Sequence, residues 1–301
     1  MKDNAGGPVV GVDVGGTETK AVLVDASGTV LAQRRRATPP PSPDTAQRVL
    51  DLTCSLVADL SAHTPPAAVG FVVPGIVDES RGVAVFSENL AWSDVPFASL
   101  LGERIGLPVA FGHDVRAGAL AEHRLGAARE ASDAVFLPVG TGISAAHVHS
   151  GRVPAAGGYA GEIGQVPIEA GGRRRIRLEA VASAVAISRR YQDRTGIPVA
   201  GAADVARRVA EGDPVATAVW DEAVDALGGA LIWLTALLAP EVVVVGGGLS
   251  QAGPLLFDPL TRRVEEDWNL QRKPRIVPAA LGDRAGSLGA ALLAADLVGT
   301  T

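Results

Sequence analysis

The sequence predicts an α/β protein of two domains, and three observations carry that prediction. The chain has 301 residues, and domains average about 150 residues each. A strand, a glycine–threonine turn and a second strand occur twice, around Gly15-Gly16-Thr17 and again around Gly140-Thr141-Gly142. Segments with helical spacing of apolar residues alternate with short apolar strands through the rest of the chain. Two α/β domains facing each other across a cleft follow. The expected division is 1–114 for a small N-terminal domain and 115–285 for a larger C-terminal one. Residues 286–301 are then a terminal helix packing back on the N-terminal domain.

Composition narrows the class. Hydrophobic residues are 47% and charged residues 20% of the chain, which fits a globular protein and not a disordered one. Aromatics are only 4%, so alanine, valine and leucine must fill most of the core. With 27 basic and 33 acidic residues the net charge is −6, and there is no broad basic field to favour nucleic acid or an anionic membrane. A single cysteine, Cys54, excludes an intramolecular disulfide and a multi-cysteine zinc site, and it fits a reducing compartment. The N-terminal residues show no apolar signal-peptide core, so a cytoplasmic location is expected. The most membrane-like stretch, 226–239, falls short of the roughly 20 apolar residues a bilayer span needs and reads as a buried core helix.

In chain order, 9–14 and 21–24 read as the strands of a hairpin, with a third strand at 29–35 after the turn Ala26-Ser27-Gly28. The segment 38–44, TPPPSPD, is too rich in proline for a helix or a central strand and reads as a loop. Residues 45–62 read as an amphipathic helix, 67–73 as a buried strand closed by Pro74-Gly75, and 97–105 as a short helix. A strand at 109–111 ends at His113-Asp114, and 115–125 is helical. The second half gives strands at 134–139 and 143–149, an irregular stretch, and helices near 178–195, 202–211 and 214–239. A fully buried strand at 242–245 runs into Gly246-Gly247-Gly248. A last strand at 275–278 and a helix at 286–297 follow.

Four places carry candidate chemistry. In Asp13-Val14-Gly15-Gly16-Thr17 a carboxylate ends a strand and two glycines turn the chain, so backbone N–H groups can approach phosphate oxygens. Thr17 adds a hydroxyl, and an acid beside a phosphate loop suits Mg²⁺ held directly or through water. A plain hairpin turn is the alternative. Gly140-Thr141-Gly142 is a second phosphate turn of the same kind, weak when taken alone. Gly246-Gly247-Gly248, after four valines, leaves a flat surface at a strand end, or is simply a flexible turn. Asp114 sits where a strand passes into a helix, as a carboxylate positioned to accept a proton from an alcohol attacking ATP. A helix N-cap is the alternative role there. Together, the three glycine turns are what a two-domain nucleotide clamp needs.

With these residues in view, the chain resembles the ROK family of sugar kinases and sugar-responsive repressors, over almost its whole length. Asp13 to Thr17 and Gly140 to Ile143 match that family's two phosphate motifs, and Pro74-Gly75-Ile76-Val77-Asp78 matches its PG-x-V-D turn. Glu88-Asn89-Leu90 with Trp92 resembles its sugar-contacting segment. Asp114 with Ala117, Ala119 and Glu122 fits N-D-A-N-x-A-A-x-G-E loosely. Ala160 to Gly164 fits A-G-E-I-G-H up to its last residue, and Leu178-Glu179-Ala180 with Ala182-Ser183 matches L-E-A-x-A-S. Pro240 to Gly248 and the terminal 282–294 resemble its last two motifs.

The resemblance implies the actin/hexokinase-like, ribonuclease H-like fold with an interdomain cleft, and a cytoplasmic ATP:hexose 6-phosphotransferase that uses Mg²⁺ and forms a homodimer. It implies that Asp114 is the catalytic base on the sugar 6-hydroxyl, and that Asn89, Glu162 and Glu179 bind sugar hydroxyls. His113 and Gln165 occupy the two remaining sugar-contact positions. It implies that Asp13 organises Mg²⁺, that Gly15, Gly16, Thr17, Lys20, Gly140, Thr141 and Gly142 hold the nucleotide phosphates, and that Gly246 and Gly247 line the adenosine side.

The family pattern breaks in one region. Its zinc site uses a histidine after G-E-I-G and three cysteines. Here Gln165 stands at the histidine position and the cysteine segment is GGRRRIR, 171–177. Amide and guanidinium groups do not replace imidazole and thiolates on zinc, so no structural zinc is expected. The arginines fix this loop by hydrogen bonds or are simply solvated. His113 likewise replaces the asparagine before the catalytic acid. A retained acid set with altered neutral contacts implies an active kinase with a shifted substrate. An amino-deoxy glucose such as kanosamine, in antibiotic biosynthesis, is the leading choice, because carboxylates favour its amine. Glucose is second and an N-acetylated sugar third.

A non-catalytic sugar-sensing protein is the competing class. Only twelve residues precede Asp13, which leaves no space for a repressor's DNA-binding helices. His147 and His149 share a strand face, but a metal pair needs a third ligand. His63 and His123 read as surface residues and Cys54 as a buried apolar one.

Overall fold

The computed structural model describes residues 7–170, 174–267, 270 and 272–299. Gly171, Gly172 and Arg173 of the arginine-rich segment therefore lie outside the described residues. The chain divides into two compact units, one of residues 1–121, 153–160 and 284–301, the other of 122–152 and 161–283. The boundary falls within a helix and not at Asp114, because the first two turns of that helix pack with the first unit. Residues 153–160 also return to the first unit, where the glycine-rich turn Ala156–Gly158 packs on residues 76–78.

The first unit is built on a sheet of β1 (Val9–Val14), β2 (Glu18–Val24), β3 (Val30–Ala37), β4 (Ala68–Val73) and, after a smaller sheet, β8 (Val109–His113). The small antiparallel sheet is β5 (Ile76–Asp78), β6 (Val83–Ser87) and β7 (Trp92–Val95), and sequence periodicity did not show it. The large sheet runs β3-β2-β1-β4-β8, with β1, β4 and β8 parallel and the first hairpin antiparallel. One face carries α1 (Thr45–Ser61) and α2 (Phe97–Ile105), where Phe71, Trp92, Phe97 and Phe111 form one ring cluster. The other face takes α3 (Asp114–Leu125) and the terminal helix (Ala285–Leu297). A side chain at Gly11 would meet the backbone of Ser287 and Ala291, and one at Gly70 the backbone of Ala290. Both strand glycines are there so that helix and sheet can approach closely.

The second unit has a sheet of β9 (Asp133–Pro138), β10 (Ala146–His149), β13 (Val242–Gly246) and β14 (Arg275–Pro278) in the order β10-β9-β13-β14. Between these strands lie the hairpin β11 (Pro167–Ala170) and β12 (Arg174–Arg177), then α4 (Glu179–Ala182), α5 (Ala184–Thr195), α6 (Ala202–Ala210), α7 (Pro214–Leu238) and α8 (Pro254–Glu266). The hairpin occupies what read as an irregular stretch, and α8 fills a segment whose two prolines hid it. Pro254 sits in the first turn of α8, where a missing N–H costs nothing. The single helix expected at 178–195 is two. Ser183 leaves helical geometry and its hydroxyl accepts from Ala186 N–H to cap α5. Asp213 caps α7 in the same way, ahead of Pro214.

The apolar stretch 226–239 is the second half of α7, and it is not buried all round. Leu227, Ala230, Leu231 and Thr235 face the core, while Trp233 and Leu237 are 77% and 81% exposed. No described helix is long and apolar enough to cross a membrane.

Candidate active site

In the first unit, three predicted motifs end side by side. β1 ends at Asp13-Val14, β4 at Val73 before Pro74-Gly75, and β8 at His113 before Asp114. The registers pair Asp13 with Val72, and Val73 with His113. Asp13 and Asp114 therefore sit at the same edge, two strand spacings or roughly 10 Å apart across the sheet, with Asp114 two residues further along its strand direction. The carboxyl edge of adjacent parallel strands is where open α/β sheets bind ligands.

The turn after Asp13 is braced by its neighbours in the sequence and by Thr38. Gly15 N–H donates to Glu18 O over 3.0 Å, the Thr38 hydroxyl donates to Gly15 O over 2.7 Å, and Thr38 N–H donates to Thr17 O over 2.9 Å. Gly16 and Thr17 are exposed, and a side chain at Gly16 would meet nothing within 4 Å. A braced turn with an open outer face leaves backbone N–H groups available to an anion. Lys20 stands directly opposite Asp13 in the antiparallel register. The carboxylate of Asp13 packs against Gly286, where any side chain would overlap it. Gly286 lies in the first turn of the terminal helix, whose amino end carries partial positive charge. A carboxylate fixed beside an open backbone turn supplies the hard oxygen donor that Mg²⁺ takes, so these residues fit that ion.

Asp114 opens α3 with no intervening loop. Its Oδ1 accepts from Val115 N–H over 2.7 Å, which is not the N2 or N3 bond of a capping residue. His113 is buried, and its Nδ1 lies 3.4 Å from Asp114 Oδ1. Burial pushes the His113 imidazole below its ordinary pKa, with Asp114 opposing that shift. Two residues here were not found from sequence. Arg116, 5% exposed, donates from Nε to Glu79 Oε1 over 2.8 Å, and the same oxygen takes His113 N–H at 3.4 Å. The signal was a charged residue one turn into a helix of small apolar ones, which reads equally well as a solvated face. Asn89 is exposed in the turn between β6 and β7, anchored by buried Leu90 and Trp92 on either side of Ala91.

In the second unit, the turn Gly140-Thr141-Gly142 follows β9. Gly140 N–H donates to Gly142 O over 3.0 Å, and Gly140 O accepts from Ala184 N–H over 2.9 Å. Thr141 and Gly142 are exposed. Gly247, with φ of 74°, lies against the backbone of Val139 just before this turn, and Val139 N–H donates to Gly246 O over 3.0 Å. The glycines after β13 are thus stacked on the segment leading into the Gly140-Thr141-Gly142 turn and are not a free linker.

The same unit brings three predicted sugar contacts together. Gln165 Nε2 donates to Glu179 Oε1 over 2.7 Å. Glu179 Oε2 lies 3.3 Å from where a side chain at Gly142 would begin and 3.2 Å from the same point at Gly164. Glu162 precedes the turn Ile163–Gln165 and is half-buried. Glu122, read only as a motif match, is a buried anchor. Its carboxylate accepts from the N–H groups of Ala127, Ala280 and Leu281 at 2.8, 3.2 and 2.8 Å.

Three minor expectations need correction. His123 is not a surface residue, since its Nε2 lies 3.1 Å from Ala131 O and its Nδ1 is buried. Cys54 is half-buried, and that burial pushes its thiol pKa up. His147 and His149 do have a third potential ligand beside them, Asp133.

Comparison with known proteins bears on the whole chain. The ROK family profile matches residues 9–297. The glucokinase of Thermotoga maritima is 31% identical, with 97% of this chain and 98% of that protein covered. The bifunctional enzyme NanE/NanK of Brucella melitensis is 35% identical over 96% of this chain, which spans 54% of that protein. Among solved structures, a ROK family glucokinase from Streptomyces griseus in complex with glucose and AMPPNP superposes with a TM-score of 0.82 at 30% identity, covering 96% of this chain and 100% of that one. The two-unit α/β architecture is the actin/hexokinase-like fold shared with these sugar kinases, and the chain belongs to the ROK family.

Proposed function

We propose that this protein is an ATP-dependent hexose kinase that phosphorylates the sugar 6-hydroxyl. The observation that carries the reading is the alignment of Asp13, Pro74-Gly75 and Asp114 at one edge of three parallel strands. It supports the reading because one rigid frame then carries both the proposed base and the proposed phosphate-binding turn. Asp114 takes the proton of the attacking hydroxyl. With Oδ1 held by Val115 N–H, Oδ2 is the atom that receives it. The turns at Gly15-Gly16-Thr17, with Lys20, and at Gly140-Thr141-Gly142 bind phosphate oxygens through backbone N–H and hydroxyl groups. Gly246 and Gly247 present a flat face to the adenosine. Asp13 would hold Mg²⁺, which when bound neutralises charge on the transferring phosphoryl group. Catalysis is positioning and electrostatics, so the chain's task is to fix the base and the phosphates.

Asn89, His113, Glu162, Gln165 and Glu179 bind the sugar hydroxyls in this reading. The preferred substrate is an amino-deoxy glucose such as kanosamine, in antibiotic biosynthesis. Glu162 and Glu179 favour a cationic amine, burial keeps His113 neutral, and Glu79 balances the charge of Arg116. D-Glucose is the second reading, favoured by the glucokinases among the relatives. A homodimer in the cytoplasm completes it, and the exposed Trp233 and Leu237, one turn apart on α7, support self-association.

ADP release measured over a panel of glucose, glucosamine, kanosamine, mannose and N-acetylated hexoses tests the reading. Turnover is expected with at least one of them, and Asp114→Asn is expected to lower it by about 100-fold or more with ATP binding nearly intact. Sugar binding with no ADP formed from any of them would leave a sensor in its place. Near-normal turnover by the Asn variant would remove Asp114 from the base role.

A further inference from the structure

We propose that Asp133, His147 and His149 form a binding site for one divalent transition-metal ion of borderline softness, such as Zn²⁺. It is separate from the Mg²⁺ used with the nucleotide. The site is built into the β9–β10 hairpin. His149 pairs directly with Asp133 in the antiparallel register, and His147 pairs with Val135, two residues along on the same face. Alternation along a strand therefore puts both imidazoles and the carboxylate on one side of the sheet.

The nitrogen and oxygen atoms converge. His149 Nδ1 lies 2.5 Å and His147 Nε2 3.5 Å from Asp133 Oδ1, and all three ligand atoms lie within 4.8 Å of one another. A tetrahedral ion at about 2.0–2.1 Å from each ligand needs them roughly 3.4 Å apart. His147 already has that spacing to the carboxylate. His149, 64% exposed, is held by a hydrogen bond between its Nδ1 and Asp133 Oδ1, and an ion entering between the two would replace that bond with a shift of about 1 Å at the nitrogen.

The second observation is an unsatisfied atom. His147 Nε2 is buried and makes no hydrogen bond of good geometry, its contact being the Asp133 carboxylate at 3.5 Å. A buried nitrogen left without a partner is costly, and a coordinated ion would satisfy it. Two imidazoles and one carboxylate select Zn²⁺, Co²⁺ or Ni²⁺ over Mg²⁺ and Ca²⁺, which prefer all-oxygen shells. Water completes the shell through the open side at His149.

The position gives the ion a consequence. The cluster closes the end of the hairpin opposite the turn Gly140-Thr141-Gly142, so a bound ion clips β10, an edge strand, to β9. Holding those two strands together stiffens the base from which the turn projects.

The test uses the full chain, without an affinity tag and stripped with chelator, titrated with Zn²⁺ by calorimetry and with Co²⁺ by visible absorption. The wild type is expected to take up one equivalent of each, with the ligand-field bands of a low-coordinate Co²⁺ site, and to melt at a higher temperature with Zn²⁺. His149→Ala, at an exposed position that the fold does not depend on, is expected to bind at least about 100-fold more weakly and to lose the Zn²⁺-dependent rise in Tm. Asp133→Asn should behave likewise. Uptake well below one equivalent by the wild type, or equal affinity in His149→Ala, overturns the site. Neither result bears on the kinase reading, because Mg²⁺-dependent turnover does not use these residues.

Discussion

Gln165 donates to Glu179 over 2.7 Å, and the free side of that carboxylate abuts Gly142 and Gly164. Two positions that the sequence presents as separate sugar contacts are one hydrogen-bonded pair against the Gly140-Thr141-Gly142 turn. The residue standing where the family has a zinc-linked histidine thus acts through its amide, as a donor that orients an acid. Removing it by Gln165→Ala frees Glu179 to rotate. A lost charge-assisted bond of about 1.4 kcal/mol corresponds to a tenfold rise in sugar KM. The KM for ATP should not change. Gln165→Glu places two carboxylates in contact and should cost more. Steady-state kinetics against both substrates decide it, and an unchanged sugar KM in the alanine variant refutes the pairing role.

Gly286→Ala probes Asp13 without touching it. The new methyl would occupy the space of the Asp13 carboxylate and force it aside. The terminal helix itself gains, since alanine is better than glycine in a helix by roughly 1 kcal/mol. Turnover should therefore fall by about tenfold to 100-fold, as for a small misplacement of a positioning group, while Tm stays level or rises. Wild-type turnover in this variant would show that the carboxylate position does not matter.

Arg116 and Glu79 form a pair whose partners are unequally buried, at 5% and 34% exposed. Glu79→Ala leaves a guanidinium buried without its acid. Loss of one partner of a fully buried pair costs about 3–5 kcal/mol, and the partial exposure of Glu79 lowers that to about 2–3. The double change Glu79→Ala with Arg116→Met should recover most of the loss, because the uncompensated charge goes with it. Urea unfolding of the single and double variants reads this directly. Equal midpoints for wild type and Glu79→Ala would show that the pair is solvated in solution. Glu79 also receives the His113 N–H, so the single variant should lower turnover through Asp114's neighbours as well.

What the sequence revealed and what it hid follow from the range of each interaction. The glycine turns, the strand ends at Asp13 and Asp114 and the terminal helix were legible because backbone geometry at those points depends on neighbouring residues. The pairing of β11 with β12 was not, because arginines on a strand look like a solvated loop until the partner strand is seen. The Glu79–Arg116 pair spans 37 residues and the Glu122 anchor to Leu281 spans 159. No local pattern reports contacts of that length. Nor does a local pattern show that residues 153–160 pack with the first unit, since they join it by tertiary packing alone.

His113 makes stability depend on pH with a definite sign. Burial holds its folded pKa below the unfolded value of about 6.5. The unfolded chain therefore binds this proton first as pH falls, and stability must drop from about pH 6.5 downward, while above that value the residue contributes no slope. His147, shifted in the same direction by its own burial, adds a slope of the same sign. The contribution of His113 is isolated by His113→Asn, which keeps a polar group beside Asp114 but cannot titrate. Stability measured by urea unfolding between pH 5 and 7.5 should fall less steeply toward acid in the variant than in the wild type. Parallel curves would mean that the imidazole is hydrated in the folded protein and that Asp114 has a charged neighbour below neutrality. In that case an acid-side loss of turnover would belong to His113 as well as to the base.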